Sequence, residues 1–134
     1  AGKQSETTAQ LLEKAEEING VKVVVAQVEA MTPKDLRSAM DRLRKSGKEV
    51  VAVLAAVSGK KVMLVAGLTG KARSVGLSAD ELLREVAQVV GGSGGGRPDM
   101  AQAGGGGVDK TPEALQKARE LLTRALTAHG RGFA

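Results

Sequence analysis

A glycine-rich run from Gly91 to Gly105 constrains the fold of this chain more than any other feature. It reads GGSGGGRPDMAQAGG, and Gly106 and Gly107 follow it directly. Glycine has no Cβ, so such a segment can adopt positive φ and turn its backbone N–H groups toward a ligand. A featureless Gly/Ser linker is the alternative, but a linker would not carry Arg-Pro-Asp-Met-Ala-Gln in its middle. We therefore expect an ordered element at which backbone approaches another group closely.

This run closely resembles the glycine-rich motif of the DHH-associated domain, in the form found at the C-terminus of alanyl-tRNA synthetase. Ser93 is the only residue that interrupts its first glycines, and the order of elements on either side is also similar. In that family the domain helps to hold tRNA, contacts its outer corner and couples the aminoacylation and editing domains. The resemblance implies the same role here, in an excised fragment of a larger enzyme.

The resemblance also implies partners and cofactors. The partners would be tRNA(Ala) and the other domains of the parent synthetase, with a homodimer as a further assembly. The parent enzyme would use ATP with Mg and Zn, whereas we expect no cofactor in this fragment. In phosphoesterases of the wider family the loop carries a histidine and works beside a separate metal-binding domain. Here Arg97 stands in that place, so we expect nucleic-acid recognition rather than hydrolysis.

The composition indicates one domain with an aliphatic core. The chain has 134 residues, 42% of them hydrophobic, and Phe133 is its single aromatic residue. The absence of cysteine excludes disulfides and thiol catalysis and fits a reducing compartment. No apolar run reaches the length of about 18 residues that a membrane span needs. We expect a cytoplasmic protein without membrane partners.

The charge favours a polyanionic partner. The formal net charge is +5, and residues 1–20 are net acidic, so the remainder is more basic than the total indicates. A charge of this size is also ordinary for a small soluble domain, so solubility alone is the alternative explanation.

The N-terminal part predicts a helix, a strand and a second helix. Residues Ser5 to Ile18 form an amphipathic acidic pattern that Asn19-Gly20 would end, and the resemblance makes residues 1–20 the end of a connector helix. Val21 to Val28 is a β-branched run that indicates a strand and begins the globular domain over 21–134. Thr32-Pro33-Lys34-Asp35 then supplies an N-cap, an N1 proline and an acidic N3 residue for a helix to about residue 45. The basic residues of that helix must lie largely away from its apolar face; they are Lys34, Arg37, Arg44 and Lys45.

The central part predicts a β-hairpin and a third helix. Glu49 to Val57 and Lys61 to Leu68 are apolar runs separated by Ser58-Gly59-Lys60, which favours an antiparallel hairpin with a cationic tip. Ser78-Ala79-Asp80-Glu81 is a capping-box pattern that opens a helix leading into the glycine run.

The C-terminal part completes the sheet. The resemblance suggests a short strand at Met100 to Ala103 beyond the loop over 91–107. Thr111-Pro112-Glu113 opens a last helix to about Ala128, which Gly130 would end. Together these elements predict an α/β (α+β) fold, in which helices flank a single mixed sheet of about four strands.

Two patterns that resemble catalytic chemistry are not convincing. His129, the single histidine, lies near a helix C-terminus, where a capping role is favoured. The sequence from Gly67 to Ala72 has a glycine too close to Gly70-Lys71 for a phosphate-binding loop, and Ala72 replaces the hydroxyl that magnesium needs. No cluster has metal-ligand spacing. We expect neither a catalytic nor a metal site.

Arg97 is the strongest candidate for a ligand contact, because a guanidinium binds phosphate or a base edge through two hydrogen bonds. An Arg97–Asp99 bridge that orders the loop is an equal alternative. Gln102 would bind a base or ribose, or the neighbouring backbone. A basic edge near the β-hairpin would be formed by Lys60, Lys61, Lys71 and Arg73. The alternative is that these four cations form only a solvated surface. The full set of candidate nucleic-acid contacts is Gly91, Gly92, Gly94, Gly95, Gly96, Arg97, Asp99, Gln102, Lys60, Lys61, Lys71 and Arg73.

Three functional hypotheses follow. The leading one is tRNA binding through shape, phosphates and glycine backbone, with a steep salt dependence, because aromatic stacking platforms are absent. The second is a dimerisation or interdomain module, for which small helix residues such as Ala118 and Ala125 would provide contacts. The third is a general binder of single-stranded nucleic acid.

Overall fold

The structure is a computed structural model that describes residues 15–18, 20–28, 32–46, 49–74 and 76–132. The described residues form a six-stranded mixed sheet with helices on both faces. The strands follow the spatial order β1-β2-β3-β4-β6-β5. In chain order the elements are β1 (Glu16–Ile18), β2 (Val21–Val28), α1 (Pro33–Arg44), β3 (Val50–Ser58), β4 (Lys61–Leu68), α2 (Gly70–Ser74), α3 (Ala79–Val89), β5 (Ser93–Gly96), β6 (Met100–Gly105), a 3-10 turn (Val108–Lys110) and α4 (Thr111–Gly132).

The central strands form the buried middle of the sheet. β2 and β3 are parallel and are joined by α1, whereas β3 and β4 form an antiparallel hairpin in which Ser58 pairs with Lys61. Apolar side chains line both faces of these strands, and β3 is buried from Val50 to Ala56. Such continuous apolar runs are expected where a strand is covered on both sides.

Each face of the sheet has its own aliphatic core. On one face α1 packs Leu36, Met40 and Leu43 against β2, β3 and β4. On the other face α3 and α4 cover the sheet, with Leu83 and Leu122 fully buried. Because α1 is the single described helix on its face, the end of the sheet formed by β6 and β5 is not covered there.

Helix α1 begins as its sequence predicts. The Thr32 side chain accepts a hydrogen bond of 3.1 Å from the Asp35 backbone N–H, and proline occupies the first turn. The capping box of α3 is not formed, because Ser78 makes no side-chain bond to the helix backbone. Its hydroxyl donates to the Asp80 carboxylate instead, which lowers the pKa of Asp80.

The N-terminal helix prediction is wrong at its C-terminal end. Glu16–Ile18 is a short strand that pairs antiparallel with β2, Ile18 opposite Val21. Gly20 precedes β2 with φ of +84°, a conformation that glycine adopts without strain. An Asn-Gly pair is the strongest short sequence signal for a β-hairpin, and it also signals the end of a helix. The pairing of β1 with β2 favours the hairpin over the helix here. The remainder of that predicted helix, residues 5–14, lies outside the described residues.

Two further expectations need correction. The sheet has six strands rather than about four, because β1 and β5 each add one edge strand. Helix α4 continues through Gly130 to Gly132. The side chain of His129 and the residue Phe133 lie outside what the structure describes.

Candidate nucleic-acid interface

The glycine-rich run forms a β-hairpin rather than an open loop. Four residues of Ser93–Gly96 pair with β6, and the hairpin turns at Arg97, whose backbone N–H donates to the Met100 carbonyl at 2.8 Å. The first residue of α3, Ala79, donates its N–H to the Pro98 carbonyl at 2.7 Å. That contact satisfies a helix N–H that has no partner within the helix. The tip of the hairpin is therefore tied to α3.

Glycines in β5 differ in what the fold requires of them. A Cβ at Gly94 would collide with the Ala103 side chain, and one at Gly96 would lie 2.8 Å from the Met100 carbonyl oxygen. These two positions must remain small for β5 to lie on β6. A Cβ at Gly95 would meet no atom within 4 Å. The fold does not need glycine at position 95. The space that a side chain would occupy there is open to a ligand.

The two remaining predicted glycines, Gly91 and Gly92, serve the turn before β5, and Gly105 at the end of β6 lies next to that turn. Gly91 has φ of +67°, a conformation in which glycine turns the chain after the end of α3 without strain. A Cβ at Gly92 would collide with the Gly104 carbonyl oxygen, and one at Gly105 would lie 2.5 Å from the Val90 carbonyl oxygen. Close contact between backbone segments explains these glycines without any ligand.

A cleft lies between α1 and the hairpin, on the face that α1 only partly covers. Its volume is about 350 Å³. Arg97 and Gln102 line it from the hairpin, and both are exposed. Arg37 and Arg44 line it from α1. The structure thus brings Arg97, Asp99 and Gln102 together as the sequence suggested, and it adds two arginines from a distant part of the chain.

Asp99 pairs with Arg44 and not with Arg97. The Arg44 Nη2 to Asp99 Oδ2 distance is 3.1 Å, and Arg44 also donates to the Met100 sulfur at 3.8 Å. The predicted Arg97–Asp99 bridge is therefore wrong. Among the described residues neither Arg97 nor Arg37 has an ion pair, so both are free cations at this cleft.

The predicted basic edge is also wrong, because its four cations separate into two groups. Lys60 lies in the turn before β4 and Lys61 is the first residue of β4, whereas Lys71 and Arg73 lie in α2 after it. β4 has eight residues, so the groups are about 23 Å apart at roughly 3.3 Å per residue. All four side chains are exposed. They offer two separate cationic patches rather than one edge.

The loop after β4 is occupied by an internal carboxylate. The Thr69 hydroxyl donates to Glu49 Oε1 at 2.6 Å, and the Lys71 backbone N–H donates to the same oxygen at 3.0 Å. The Thr69 hydrogen bond, followed by that of Lys71, holds the pKa of Glu49 below its ordinary value. The Lys71 backbone N–H, which a phosphate-binding loop would direct at a ligand, is therefore used within the fold.

Arg37 and Arg44 were recognised from the sequence only as part of a basic helix surface. Their spacing of seven residues puts them on the same side of α1, beside the buried Met40. That spacing is the available signal, but it does not specify that the hairpin lies next to them. The helix residue Ala118, by contrast, is fully buried against the sheet. It is not available for the dimer contact that its small size suggested.

Two properties of the described residues bear on other classes of function. No group of three or more His, Cys, Asp or Glu side chains within that part of the chain is placed to hold a metal ion. No helix of the described ranges is long and apolar enough to cross a membrane.

Comparison with known proteins defines the class to which this sheet and glycine hairpin belong. Residues 20–124 match the model of the DHHA1 domain, and the chain therefore belongs to the DHHA1 domain family. The fold likewise resembles the crystal structure of the C-Ala domain from Aquifex aeolicus alanyl-tRNA synthetase. The TM-score is 0.72 and the identity 35%, over 85% of this chain and 98% of that one.

Sequence relatives point to the same branch of the family. The chain is 47% identical over 112 residues to an alanine–tRNA ligase of Shouchella clausii, which is 84% of this chain. It is 43% identical over 126 residues, or 94% of its length, to that of Nitrosomonas eutropha. The matches span only 13% and 14% of those ligases.

Proposed function

We propose that this chain is a tRNA-binding domain of an alanine–tRNA ligase, which docks on the outer corner of tRNA(Ala) and couples aminoacylation with editing. The observation that carries the proposal is the arginine cleft, defined by Arg37, Arg44, Arg97 and Gln102. The similarity to the C-Ala domain of an alanyl-tRNA synthetase supports the choice of RNA. In the parent enzyme ATP and Mg would serve the ligase reaction, Zn would be bound elsewhere, and the location would be cytoplasmic.

The chemistry of the cleft suits phosphate. Arg97 is exposed and free of ion pairs within the described part of the chain, so it can bind a phosphate through two parallel hydrogen bonds. Arg37 is also exposed and lies across the cleft on α1. Each cation that contacts a phosphate releases a counterion, so the affinity must fall steeply as salt is raised.

The test measures binding of the chain to a tRNA(Ala) transcript over a series of KCl concentrations. Arg97→Ala is expected to weaken binding and to reduce the slope of log K against log salt by about 1, one phosphate contact. Arg84→Ala is the matched control, because Arg84 is exposed on α3 at the opposite face of the sheet. Its slope should equal that of the unmodified chain.

A second arm tests the outer corner. A minihelix RNA with only the acceptor and T arms lacks the outer corner, at which the D and T loops of tRNA meet. The chain should bind the complete transcript more tightly than the minihelix, and an unstructured RNA of equal length should compete poorly. Equal binding to all three RNAs would favour general single-strand binding, and a concentration-dependent dimer without RNA affinity would favour the dimerisation module. Either result would overturn the proposal.

A further inference from the structure

We propose that Met100 is an oxidation site, at which a hydroperoxide converts the thioether to a sulfoxide whose new oxygen is held by Arg44. Oxidation would then tighten the contact between α1 and the hairpin formed by β5 and β6. The inference is separate from RNA binding, because it concerns how the hairpin is held and not what the arginine cleft binds.

The methionines of the chain differ in how easily a peroxide reaches them. Met40 is fully buried in the core under α1, and Met31 lies outside the described residues. Met63 and Met100 are half-buried. Met100 also lines the arginine cleft, so its side chain borders an open space that a small peroxide can enter. We therefore expect Met63 and Met100 to be oxidised before Met40.

A contact with Arg44 distinguishes Met100 from Met63. Arg44 Nη1 donates to the Met100 sulfur at 3.8 Å, while Nη2 donates to Asp99 Oδ2 at 3.1 Å. No described residue donates a hydrogen bond to the sulfur of Met63. A thioether sulfur is only a weak acceptor, so Nη1 is poorly satisfied while Met100 is reduced. An oxygen attached to this sulfur would be a better acceptor for the same donor.

Gly67 allows the Arg44 side chain to approach the sheet beside the sulfur. Gly67 of β4 is directly opposite Met100 of β6, so a side chain at either position is on the same face of the sheet. A Cβ at Gly67 would lie 3.1 Å from Arg44 Cδ. Arg44 therefore crosses the sheet where glycine leaves space, and its side chain is only 27% exposed. The guanidinium is held next to the sulfur rather than in open solvent.

The oxidation is a two-electron transfer of one oxygen atom. A lone pair of the Met100 sulfur attacks one oxygen of hydrogen peroxide, so that an S–O bond forms and the O–O bond breaks. The departing hydroxide takes the proton of the transferred oxygen and leaves as water. Sulfur is oxidised by two electrons, and the peroxide is reduced. Methionine sulfoxide reductases reverse this step.

The product strengthens an existing connection. In the oxidised chain Arg44 donates to two oxygens, the Asp99 carboxylate through Nη2 and the Met100 sulfoxide through Nη1. Hydrogen bonds from a charged donor are stronger than those between neutral groups. Both acceptors belong to the hairpin of β5 and β6 and the donor belongs to α1, so the hairpin is held more firmly on the helix. An oxidised Met63 would instead put a polar oxygen beside the core without a donor, which destabilises the fold.

The experiment isolates Met100 in a chain that carries Met31→Leu and Met63→Leu. Peptide mass spectrometry after hydrogen peroxide treatment should find the sulfoxide at Met100 and not at the buried Met40. The Arg97 backbone N–H, which donates to the Met100 carbonyl at 2.8 Å, reports opening of the hairpin through its hydrogen exchange. Oxidation should slow that exchange by about two- to tenfold, the contribution of one hydrogen bond. Treatment with methionine sulfoxide reductases should restore the original rate.

Three variants in the same background test the role of each partner. Arg44→Ala removes the donor, so oxidation should no longer slow the exchange. Met100→Leu is the matched control for peroxide damage elsewhere, and its exchange should not respond to peroxide. Met100→Gln needs no oxidant, because its amide oxygen takes the place of the sulfoxide oxygen, and its exchange should be slower than that of Met100→Leu.

Three results would overturn the proposal. The first is a Met100 that stays reduced under conditions that oxidise free methionine. The second is an exchange rate that rises on oxidation while Arg44 is present. The third is equal slowing in Arg44→Ala, or equal exchange in Met100→Gln and Met100→Leu if Arg44→Ala does not fold. These measurements use no RNA, so such a failure leaves the proposed function intact.

Discussion

Arg44 and Asp99 form the ion pair that connects α1 to the tip of the glycine hairpin. Their side chains are 27% and 39% exposed, and Nη2 lies 3.1 Å from Oδ2. Arg44 Nε is buried without a hydrogen-bond partner among the described residues. The guanidinium is therefore held in place mainly by Asp99 and by its packing. Both members of the pair line the cleft in which Arg37 and Arg97 lie.

A double-mutant cycle measures that connection. Asp99→Ala and Arg44→Ala should each destabilise the chain, with a coupling energy of about 0.5–1 kcal/mol, because the pair is partly exposed and screened by water. Urea unfolding of the four proteins gives the value. Asp41→Ala is the control, since its carboxylate lies 3.9 Å from Arg44 and is 49% exposed. A coupling of zero between Arg44 and Asp99 would show that the ion pair does not help to position the hairpin.

Adjacent glycines of β5 should respond in opposite ways to alanine. Gly94→Ala is expected to cost about 1–3 kcal/mol, because the new Cβ collides with Ala103 and the strand must shift. Gly95→Ala should be neutral or stabilising by up to about 1 kcal/mol, because the unfolded chain loses freedom and the folded chain has space. Thermal melts of the two variants test the difference. Equal losses would contradict the division of these glycines into folding and ligand positions.

Elements whose signals are local could be predicted from the sequence. Thr32 and Pro33 specify the start of α1, and the two apolar runs with Gly59 between them specify the β3–β4 hairpin. β5 was not predictable, because Ser-Gly-Gly-Gly has low strand propensity and becomes a strand only through pairing with β6. Its existence depends on a partner rather than on its own residues.

The candidate site was predictable only in part for the same reason. Arg97 and Gln102 lie within the motif that carries the resemblance, so they were identified. Arg37 and Arg44 are 60 and 55 residues away from Arg97 and Asp99, respectively, in the printed sequence. They reach the cleft because α1 covers β4 and the sheet order places β6 next to β4. No local pattern specifies that order, and Asp99 consequently pairs with a residue that sequence spacing did not suggest.

The Glu49 carboxylate should make stability depend on acid pH. Its pKa is lowered in the folded chain by the Thr69 hydroxyl and the Lys71 N–H, so its contribution is present above the unfolded pKa of 4.5. The contribution is lost as pH falls through the lower folded pKa. Glu49→Gln should therefore be less stable at pH 7, by less than about 1 kcal/mol because the group is exposed. The difference in stability between the two proteins should shrink as the pH falls below 4.5, as followed by urea unfolding. A difference that stays constant across this range would show that charge is not involved.

Arg37 and Arg42 provide a test of the cleft within a single helix. Both are exposed arginines of α1, but of the two only Arg37 lines the arginine cleft. Neither should change the free energy of unfolding by more than about 0.5 kcal/mol when replaced by alanine. Arg37→Ala should weaken tRNA binding and reduce the salt slope by about 1, because one phosphate contact is lost. Arg42→Ala should leave the slope unchanged, since the Arg42 side chain does not line the arginine cleft. If the two variants lose equal affinity and slope, tRNA responds to the total charge of the helix, and the cleft is not the binding site.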